Sequence, residues 1–319
     1  MAEARIPVAV ITGFLGSGKS TLLARLVREP GLARSVAIVN EFGEVGLDHL
    51  LVAKGGEDTV LLDSGCLCCL GNSGLQDTLM LLSARAARGE IPEFDRVFVE
   101  TSGLADPAPL MQPLFADPML RRRYRLARLV AIADAVRSAH QVEDYAEASR
   151  QLAFADRIVL SKCDLADPAQ AGAAEARVRG LNPTASFARS ANDPAVSVAA
   201  LLRLHEDIDA LAGPGGEDHG HHHTHGIVTK AFRNLPPTSW EVYAQALANL
   251  KSIDGAQLLR CKGILRFPEG SCVVQGVQHV FSPPAPIETA AEPFLVVIAR
   301  DLPPGALERA LAPLRIKGE

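Results

Sequence analysis

Three of the six cysteines of this chain lie within the stretch GCLCC, at Cys66, Cys68 and Cys69. A Cys-x-Cys pair in a loop can bind one soft or borderline cation through both sulfurs, whereas adjacent cysteines do not easily direct both sulfurs at the same ion. Cys66 and Cys68 are therefore the chief predicted metal ligands. Two alternatives stay open for these residues: a nucleophilic or redox thiol, and small buried side chains.

The two chief thiolates leave a tetrahedral site incomplete, so further ligands are needed. Cys69, an acid such as Glu41 or Glu44 in NEFGEVGLDH, or a partner protein could each complete the site. Incomplete internal coordination suits a site that releases its metal. Thiolates accept Zn²⁺, Co²⁺ and Ni²⁺ with differences that cellular supply overrides, so Zn²⁺ is the first expectation and the other two ions are alternatives.

A second group of metal-ligating side chains is the histidine run HGHHHTHG. Its imidazoles can collect divalent transition metals loosely. The alternative is a solvated linker without a role in metal binding. The run contributes the ligands His219, His221, His222, His223 and His225.

The stretch GFLGSGKST at residues 13–21 fits the phosphate-binding pattern G-x-x-x-x-G-K-[ST], after an apolar run and before a helical pattern. Glycines let backbone N–H groups surround phosphate oxygens, the lysine reaches the β- and γ-phosphates, and the Ser20 hydroxyl binds Mg²⁺. The predicted nucleotide-binding residues are Gly13, Gly16, Ser17, Gly18, Lys19, Ser20 and Thr21.

Two later motifs extend this nucleotide site. VFVETSGLADP places Glu100 at a strand end, where an acid holds Mg²⁺, and Gly103 three residues later, where an N–H senses the γ-phosphate. Lys19, Glu100 and Gly103 are therefore the predicted catalytic residues.

The base of the bound nucleotide is indicated by SKCD. In this stretch Lys162 and Asp164 match the guanine signature Asn-Lys-x-Asp, and Ser161 replaces the asparagine. GTP is favoured over ATP on this match. The pair Ser190–Ala191 is equally well explained as the remnant of a second base-contacting loop or as a chance match.

The elements that must position these motifs are short apolar strands separated by helical patterns. The predicted strands are 8–12, 35–40, 59–63, 96–100, 129–134, 157–161 and 185–189. Such strands indicate an α/β fold with a mostly parallel sheet covered on both faces, as in a P-loop NTPase domain. We expect this domain over residues 1–212, a His-rich linker at 213–226, and a small α+β C-terminal domain over 227–319.

Composition bounds the function further. The chain has 319 residues and a net charge of -5, which favours neither nucleic acid nor an anionic membrane as a partner. The apolar start is too short to span a bilayer, and closely spaced thiols do not resemble a secreted disulfide framework. The sequence therefore predicts a cytoplasmic protein.

Together, TGFLGSGKST, NEFGEVGLDH, GCLCC, ETSGLADP and SKCD resemble the CobW-type subgroup of the G3E P-loop GTPases, the family of YjiA-like metal chaperones. LLRCKGIL, VVQGVQ and FLVVIARDLP resemble the small C-terminal domain of that family. The resemblance implies GTP-dependent metal handling: zinc metallochaperones, cobalt delivery in cobalamin synthesis, or activators of enzymes such as nitrile hydratase. Closely similar members carry a glutamate directly before NEFGE, where this chain has Val39.

These motifs lead to the hypothesis of a GTP-gated metal carrier, in which Mg²⁺ and GTP order the loops around residues 40–48 and 100–106 and tighten the cysteine site. GTP hydrolysis to GDP would release the metal to a client metalloprotein. A homodimer is left open as a further assembly. The rival hypotheses are a metal buffer with a regulatory nucleotide site and a small-molecule P-loop kinase.

Overall fold

The computed structural model describes residues 5–32, 34–39, 50–53, 59–62, 75–183, 185–190, 197–199, 225–253 and 257–315. Among these residues, no helix is both long and apolar enough to cross a membrane. The described residues form two compact units. The first runs through Ala176 and resumes at Phe187, and the second comprises Arg177–Ser186 and the described chain from residue 225 onward.

The first unit is an eight-stranded sheet with helices between most of its strands. The strands are β1 (Ile6–Thr12), β2 (Ser35–Val39), β3 (Leu50–Ala53), β4 (Thr59–Leu62), β5 (Arg96–Glu100), β6 (Tyr124–Asp134), β7 (Arg157–Ser161) and β8 (Ser186–Arg189). The helices are α1 (Lys19–Leu26), α2 (Leu75–Ala87), α3 (Ala108–Ala116), α4 (Pro118–Arg123), α5 (Ser138–Asp144), α6 (Ala146–Phe154) and α7 (Pro168–Leu181).

The strand order is β4-β3-β2-β5-β1-β6-β7-β8. β2 pairs in parallel with β5, β5 with β1, β1 with β6, and β6 with β7. At one edge β3 is antiparallel to both β2 and β4. The predicted mostly parallel sheet is confirmed, and β3 is a strand that the sequence reading did not include.

The central residues of the parallel strands are mostly apolar because helices cover both faces of the sheet. Val8, Val10 and Ile11 of β1 are completely buried, as are Val97 and Val99 of β5. One cluster joins these strands to α1 and includes Phe98, Ile132 and Leu26, and Val39 packs against it. The core therefore fixes the strand ends from which the motifs emerge.

Helix α1 is shorter than its pattern predicts. The sequence STLLARLVRE predicts a helix over residues 20–29, but the helix ends at Leu26 and the chain continues through turns into a 3-10 helix at Pro30–Leu32. The reason is Pro30, which disfavours helical geometry in the residue before it.

The second unit is a smaller, antiparallel α+β domain, as predicted. It contains β9 (Ile227–Arg233), α8 (Trp240–Lys251), β10 (Gln257–Phe267), β11 (Gly270–Val277), β12 (Val280–Phe281), β13 (Ala285–Pro286), β14 (Phe294–Arg300) and α9 (Ala306–Ala310). Its sheet order is β12-β11-β10-β14-β9, with β13 on β11. The predicted boundary at residue 212 and most of the linker at 213–226 lie outside the described residues, so these boundaries stay predictions.

The last helix corrects the sequence reading. The stretch PPGALERALAPL at residues 303–314 predicts one helix after a proline start, but α9 ends at Ala310 and a 3-10 helix follows at Ala312–Arg315. Pro313 lacks the N–H that a continuing α-helix would need, which accounts for the break. In contrast, the amphipathic stretch SWEVYAQALANL at residues 239–250 does form the helix α8, and the Ser239 hydroxyl caps it by accepting from the Val242 N–H at 3.3 Å.

Candidate nucleotide and metal site

The phosphate loop connects β1 to α1 and depends on its glycines. Gly13 has a φ of 144°, and a Cβ there would lie 2.4 Å from the Ile132 carbonyl oxygen. Gly16 and Gly18 have φ values of 70° and 97°, in the region that side chains disfavour. The three glycines therefore allow a backbone path that other residues would resist.

The phosphate loop ends at the N-terminus of α1, which is suited to bind an anion. Gly18 is the N-cap and has no side chain to satisfy the first N–H groups of the helix. The first turn also carries no acidic residue. These N–H groups and the helix dipole are therefore available to a phosphate group.

Lys19 lies inside the curve of this loop. Its Nζ donates to the carbonyl oxygens of Gly13 at 2.8 Å and Phe14 at 3.2 Å, and the side chain is buried. An ammonium group held by the backbone of a phosphate loop, at the N-terminus of α1, suits the β- and γ-phosphates of a nucleotide. The other predicted loop residues lie around it, with Ser17 buried and Gly16, Ser20 and Thr21 exposed.

The two predicted magnesium ligands, Ser20 and Glu100, are hydrogen-bonded to each other. The Ser20 hydroxyl donates to Oε1 of Glu100 at 2.6 Å, although the two residues are 80 positions apart in the chain. Glu100 ends β5 and is 2% exposed. A hydroxyl and a carboxylate placed side by side beside a phosphate loop fit the oxygen ligands that Mg²⁺ prefers, so the donor set fits this ion.

Gly103 lies against the phosphate loop. A Cβ on Gly103 would be 2.9 Å from both the backbone nitrogen and the Cα of Leu15. The two loops are therefore in backbone contact at this point, and only glycine allows the approach. The structure brings Lys19, Glu100 and Gly103, the three predicted catalytic residues, to the same end of the sheet.

The loop after β7 is bound to the phosphate loop through Lys162. Its Nζ donates to the Gly16 carbonyl oxygen at 2.6 Å and to Oδ2 of Asp134 at 2.7 Å. Lys162 has a φ of 56°, an uncommon left-handed conformation for a residue with a side chain. The lysine of SKCD therefore ties the phosphate loop to this second loop.

Ser161 makes a second tie. Its Oγ lies 2.6 Å from the Ser17 carbonyl oxygen and 3.1 Å from that of Ala133. A hydroxyl has one proton to donate, so these two carbonyls share it. Ser161 stands where the guanine signature has asparagine, and here its hydroxyl hydrogen-bonds the phosphate loop at Ser17.

Asp164 is exposed at the end of this loop. The loop is fixed by hydrogen bonds from the Cys163 N–H to the Ser190 carbonyl at 3.1 Å and from the Ser190 N–H to the Leu160 carbonyl at 2.8 Å. Ser190 therefore lies next to SKCD, whereas Ala191 is outside the described residues.

The predicted thiol and carboxylate ligands Cys66, Cys68, Cys69, Glu41 and Glu44 all lie outside the described residues. The same holds for the linker histidines His219, His221, His222 and His223. His225, the one described member of the run, occupies a turn with a φ of 50°. Within the described ranges, no group of three or more histidine, cysteine, aspartate or glutamate side chains is arranged to hold a metal.

Strand register nevertheless shows where the metal-motif segments leave the sheet. Val39 ends β2 directly opposite Glu100 of β5, and Ile38 pairs with Leu50, which pairs with Leu62 at the end of β4. The segments that follow β2 and β4 therefore depart from the edge of the sheet that carries Glu100. Glu41 is two residues beyond Val39, and Cys66 is four residues beyond Leu62.

The cysteines within the described part of the chain are not suited to metal binding. Cys261 and Cys272 are buried in the core of the second unit, and burial raises the pKa of the Cys261 thiol to about 12. Burial also raises the pKa of Cys163, whose Sγ lies 3.2 Å from the Leu160 carbonyl oxygen. Burial thus disfavours the thiolate form, in which a cysteine binds metal.

The sequence reading missed two residues that hydrogen-bond the loops at this edge of the sheet. Asp134 ends β6, is almost fully buried, and pairs with Lys162. An acid at the carboxyl end of a parallel strand is a signal that could have revealed it, because open α/β sheets bind ligands at those ends. Gln151 of α6 donates to the carbonyls of Gly103 and Ala105. A single glutamine in a helix gives no such signal.

The phosphate loop before α1, the Ser20–Glu100 pair beside it and the loop after β7 bonded to it through Lys162 lie at one edge of a mostly parallel sheet, and this arrangement defines a P-loop nucleotide-binding protein. Residues 7–189 match the CobW/HypB/UreG nucleotide-binding domain, and residues 227–315 match the cobalamin synthesis protein cobW C-terminal domain. The chain belongs to the CobW/HypB/UreG family.

Among curated relatives, the zinc chaperone YjiA of Escherichia coli K12 is 39% identical over 165 residues, which are 52% of this chain and 52% of YjiA. The alignment thus spans about half of YjiA. The zinc chaperone CobW of Pseudomonas aeruginosa is 28% identical, with 97% of this chain and 91% of that protein covered. The crystal structure of Zn(II)-bound YjiA GTPase from E. coli has a TM-score of 0.69 at 25% identity, covering 98% of this chain and all of YjiA.

Proposed function

We propose that this chain is a GTP-hydrolysing metallochaperone that binds zinc at Cys66, Cys68 and Cys69 and delivers it to a client metalloprotein. Two relatives are named zinc chaperones. The Schizosaccharomyces pombe relative, 25% identical over 93% of this chain and 83% of that protein, is named a zinc-regulated GTPase metalloprotein activator. Cobalt or nickel is the alternative cargo, since thiolate ligands accept all three ions.

Nucleotide binding in this proposal uses the carboxyl edge of the first sheet. The loop from Gly13 to Ser20 and the N-terminus of α1 bind the phosphates, Lys19 neutralises their charge, and Asp164 accepts hydrogen bonds from guanine. Ser20 and Glu100 would hold Mg²⁺, which when bound spreads the negative charge of the γ-phosphate during transfer. Gly103 contacts the phosphate loop and is placed to respond to the γ-phosphate.

The strand register is the observation that supports coupling between the nucleotide site and the metal site. Val39 lies opposite Glu100, and the β4 end at Leu62 is three strands away from Glu100, or ~14 Å at the usual strand spacing. The four residues from Leu62 to Cys66 can span ~13 Å of that distance. Nucleotide-dependent movement near Glu100 is therefore within reach of the cysteines and of Glu41.

The size of the coupling that this proposal needs is modest. A thousandfold change in metal affinity between the GTP and GDP forms corresponds to ~4 kcal/mol. Typical allosteric coupling is about 1–3 kcal/mol, so a gated site would lie somewhat above the common range. The histidine run would act as a weak collector of metal, separate from the cysteine site.

The proposal is tested by competition for Zn²⁺ with a chelator, using protein that is free of nucleotide, bound to GDP, or bound to a GTP analogue. We expect the analogue to tighten one zinc site by ~100-fold or more. Cys66→Ser should remove this tight site because a hydroxyl binds zinc far more weakly than a thiolate.

Two control variants show whether the cysteine site is responsible for the tight zinc binding. Cys163→Ser changes a thiol of the base loop that is predicted to bind no metal, and it should leave zinc affinity unchanged. Serine at the five linker histidines should reduce only weak additional uptake. Zinc affinity that is the same in all three nucleotide states would contradict gating and favour a metal buffer with a regulatory nucleotide site.

A further inference from the structure

A buried side chain of α6 holds the loop that follows β5. Nε2 of Gln151 donates to the carbonyl oxygens of Gly103 and Ala105, and both distances are 3.0 Å. Gln151 is completely buried. Because a primary amide has two N–H bonds, one side chain satisfies two backbone acceptors of the same loop. Gln151 therefore fixes the carbonyls on both sides of Leu104.

The orientation of this amide is determined by its partners. Both partners are carbonyl oxygens, which only accept hydrogen bonds, so the NH₂ group must face the loop. The Oε1 atom is buried and makes no hydrogen bond to the described residues. A buried acceptor without a partner is unfavourable, so core packing alone would favour an apolar residue at this position. Its hydrogen bonds to the loop offer a reason for a glutamine there.

The same helix makes two further contacts with this end of the sheet. Nη1 of Arg150, the neighbour of Gln151, lies 3.7 Å from Oδ2 of Asp106 in the loop after β5. The ring of Tyr145, which is the N-cap of α6, lies 4.7 Å from the ring of Phe14 in the phosphate loop. Helix α6 therefore touches both loops, and Gln151 makes its two direct hydrogen bonds to the loop after β5.

Gly103 is also in close contact with the phosphate loop. Its Cα approaches Leu15 so closely that an added Cβ would lie 2.6 Å from the Leu15 Cδ2 atom and 2.9 Å from the Leu15 backbone. Gly103 thus touches Leu15 and also accepts a hydrogen bond from the amide of Gln151. Loss of the amide would remove the second of these contacts without changing any residue of the phosphate loop.

We propose that Gln151 is a positioning residue for the nucleotide reaction, which holds Gly103 against the phosphate loop. This inference rests on the proposed GTP hydrolysis. Gln151 should therefore affect the rate of hydrolysis and the mobility of residues 101–106. Gln151 itself does not contact the nucleotide in this proposal, so GDP affinity should depend on it only weakly.

The test replaces Gln151 with glutamate, which has nearly the same shape. An ionised carboxylate offers only acceptors and would face two carbonyl oxygens, whereas the protonated form can donate one hydrogen bond. Gln151→Met removes both donors without adding charge. Gln141→Glu is the matched control, because Gln141 lies on α5 beside the same small cavity as Gln151 and is partly exposed.

The first measurement is amide hydrogen exchange of residues 101–106 in nucleotide-free protein. At pH about 8 we expect exchange in Gln151→Glu to be ~10-fold faster or more, because the loop opens locally more often. Gln141→Glu should exchange like the unaltered protein. Unchanged exchange in both Gln151 variants would overturn the proposal, whether or not the protein hydrolyses GTP.

The second measurement separates kcat from GDP affinity. We expect kcat for GTP to fall ~10-fold in Gln151→Glu at pH about 8, with GDP affinity within ~3-fold of the original. As the pH is lowered toward about 6, the activity of Gln151→Glu relative to the original protein should rise, because burial raises the pKa of the introduced carboxyl and protonation restores one donor. The relative activity of Gln151→Met should stay low at every pH.

A purely structural role gives a different result. In that case the Gln151→Met protein would lose melting temperature and GDP affinity in parallel with kcat, and Gln151→Glu would show no recovery at lower pH. Either finding overturns the positioning role. A protein without any GTP hydrolysis would refute the proposed function instead, and the exchange comparison would still decide whether Gln151 holds the loop.

Discussion

The two sheets of this chain distribute their polar side chains differently. At the carboxyl ends of neighbouring strands in the first sheet lie Thr12, Glu100, Asp134 and Ser161, which are all buried. The core of the second sheet is apolar, with thiols such as Cys261 among its side chains. The first arrangement brings chemically active groups together at one edge, and the second forms a hydrophobic core.

Strand direction explains the difference. Parallel strands end at the same edge, so the residues that follow them meet there, and helices start from that edge with their positive ends toward a ligand. Antiparallel strands alternate in direction, so neighbouring ends lie at opposite edges. The comparison implies that changes at the carboxyl edge of the first sheet alter ligand binding, whereas changes in the second sheet alter stability.

The largest expected effect follows from Lys19→Ala. Because Lys19 is the one cationic residue among residues 13–21, its loss should weaken GTP binding by ~100-fold or more. The nucleotide-dependent zinc site should disappear with it. Binding of a fluorescent GTP analogue and the chelator competition measure the two effects.

Lys251→Ala is the matched control for this change, since Lys251 lies in the second unit over the ring of Phe281. It should leave nucleotide and zinc affinity as they were. Tight GTP binding in Lys19→Ala would show that the carboxyl edge of the first sheet is not the nucleotide site, and the contrast between the two sheets would lose its functional meaning.

A smaller effect is expected from Asp164→Asn. In the proposed guanine site the carboxylate of Asp164 accepts hydrogen bonds from the base, whereas an amide in its place can also donate, so the preference should shift toward xanthine. We expect GTP affinity to fall ~10- to 100-fold while xanthosine triphosphate gains. Competition between the two nucleotides measures the change.

Asp144→Asn removes the same charge from an exposed position on α5 and should not alter base preference. The sharper comparison is with ATP. If the original protein binds ATP as tightly as GTP, Asp164 does not select the base.

The motifs of the phosphate loop could be read from the sequence because each residue type has a local reason for its place. Gly13 and Gly18 need uncommon φ values, and Ser20 follows Lys19 at a fixed spacing. The pairing of Ser20 with Glu100 was also predictable, because an acid at the end of a parallel strand meets the phosphate loop. The mostly parallel sheet followed from continuous apolar runs.

Other features depend on contacts between distant segments, which a single sequence does not reveal. Gln151 acts on Gly103 across 48 positions, and the pairing of Lys162 with Asp134 joins two separate strands. The short edge strand β3 pairs with a neighbour on each side, and four apolar residues alone do not distinguish such a strand from a buried turn. Tertiary contacts decide these cases.

The smallest expected effect concerns the second sheet and its buried thiol. Cys261 is fully buried, and this burial raises its pKa from 9.0 to about 12, against a smaller lowering by Arg260. Below pH 9 the thiol is protonated in both the folded and the unfolded chain. Between pH 9 and about 12 the unfolded chain releases the proton while the folded chain keeps it, so the free energy of unfolding falls as the pH rises, by up to ~1.4 kcal/mol per pH unit.

Cys261→Ala should remove this contribution, so between pH 8 and pH about 10 the original protein should lose ~1 kcal/mol more stability than the variant. Cys272 and Tyr243 also have raised pKa values caused chiefly by burial, so part of the pH dependence should remain. Urea unfolding with a reductant present measures the effect through Trp240, the single tryptophan, whose ring is 3.8 Å from that of Phe267 in the second unit. Equal losses in the two proteins would mean that the Cys261 thiol ionises alike in the folded and unfolded chain, and the second sheet would then not enclose it as the structure indicates.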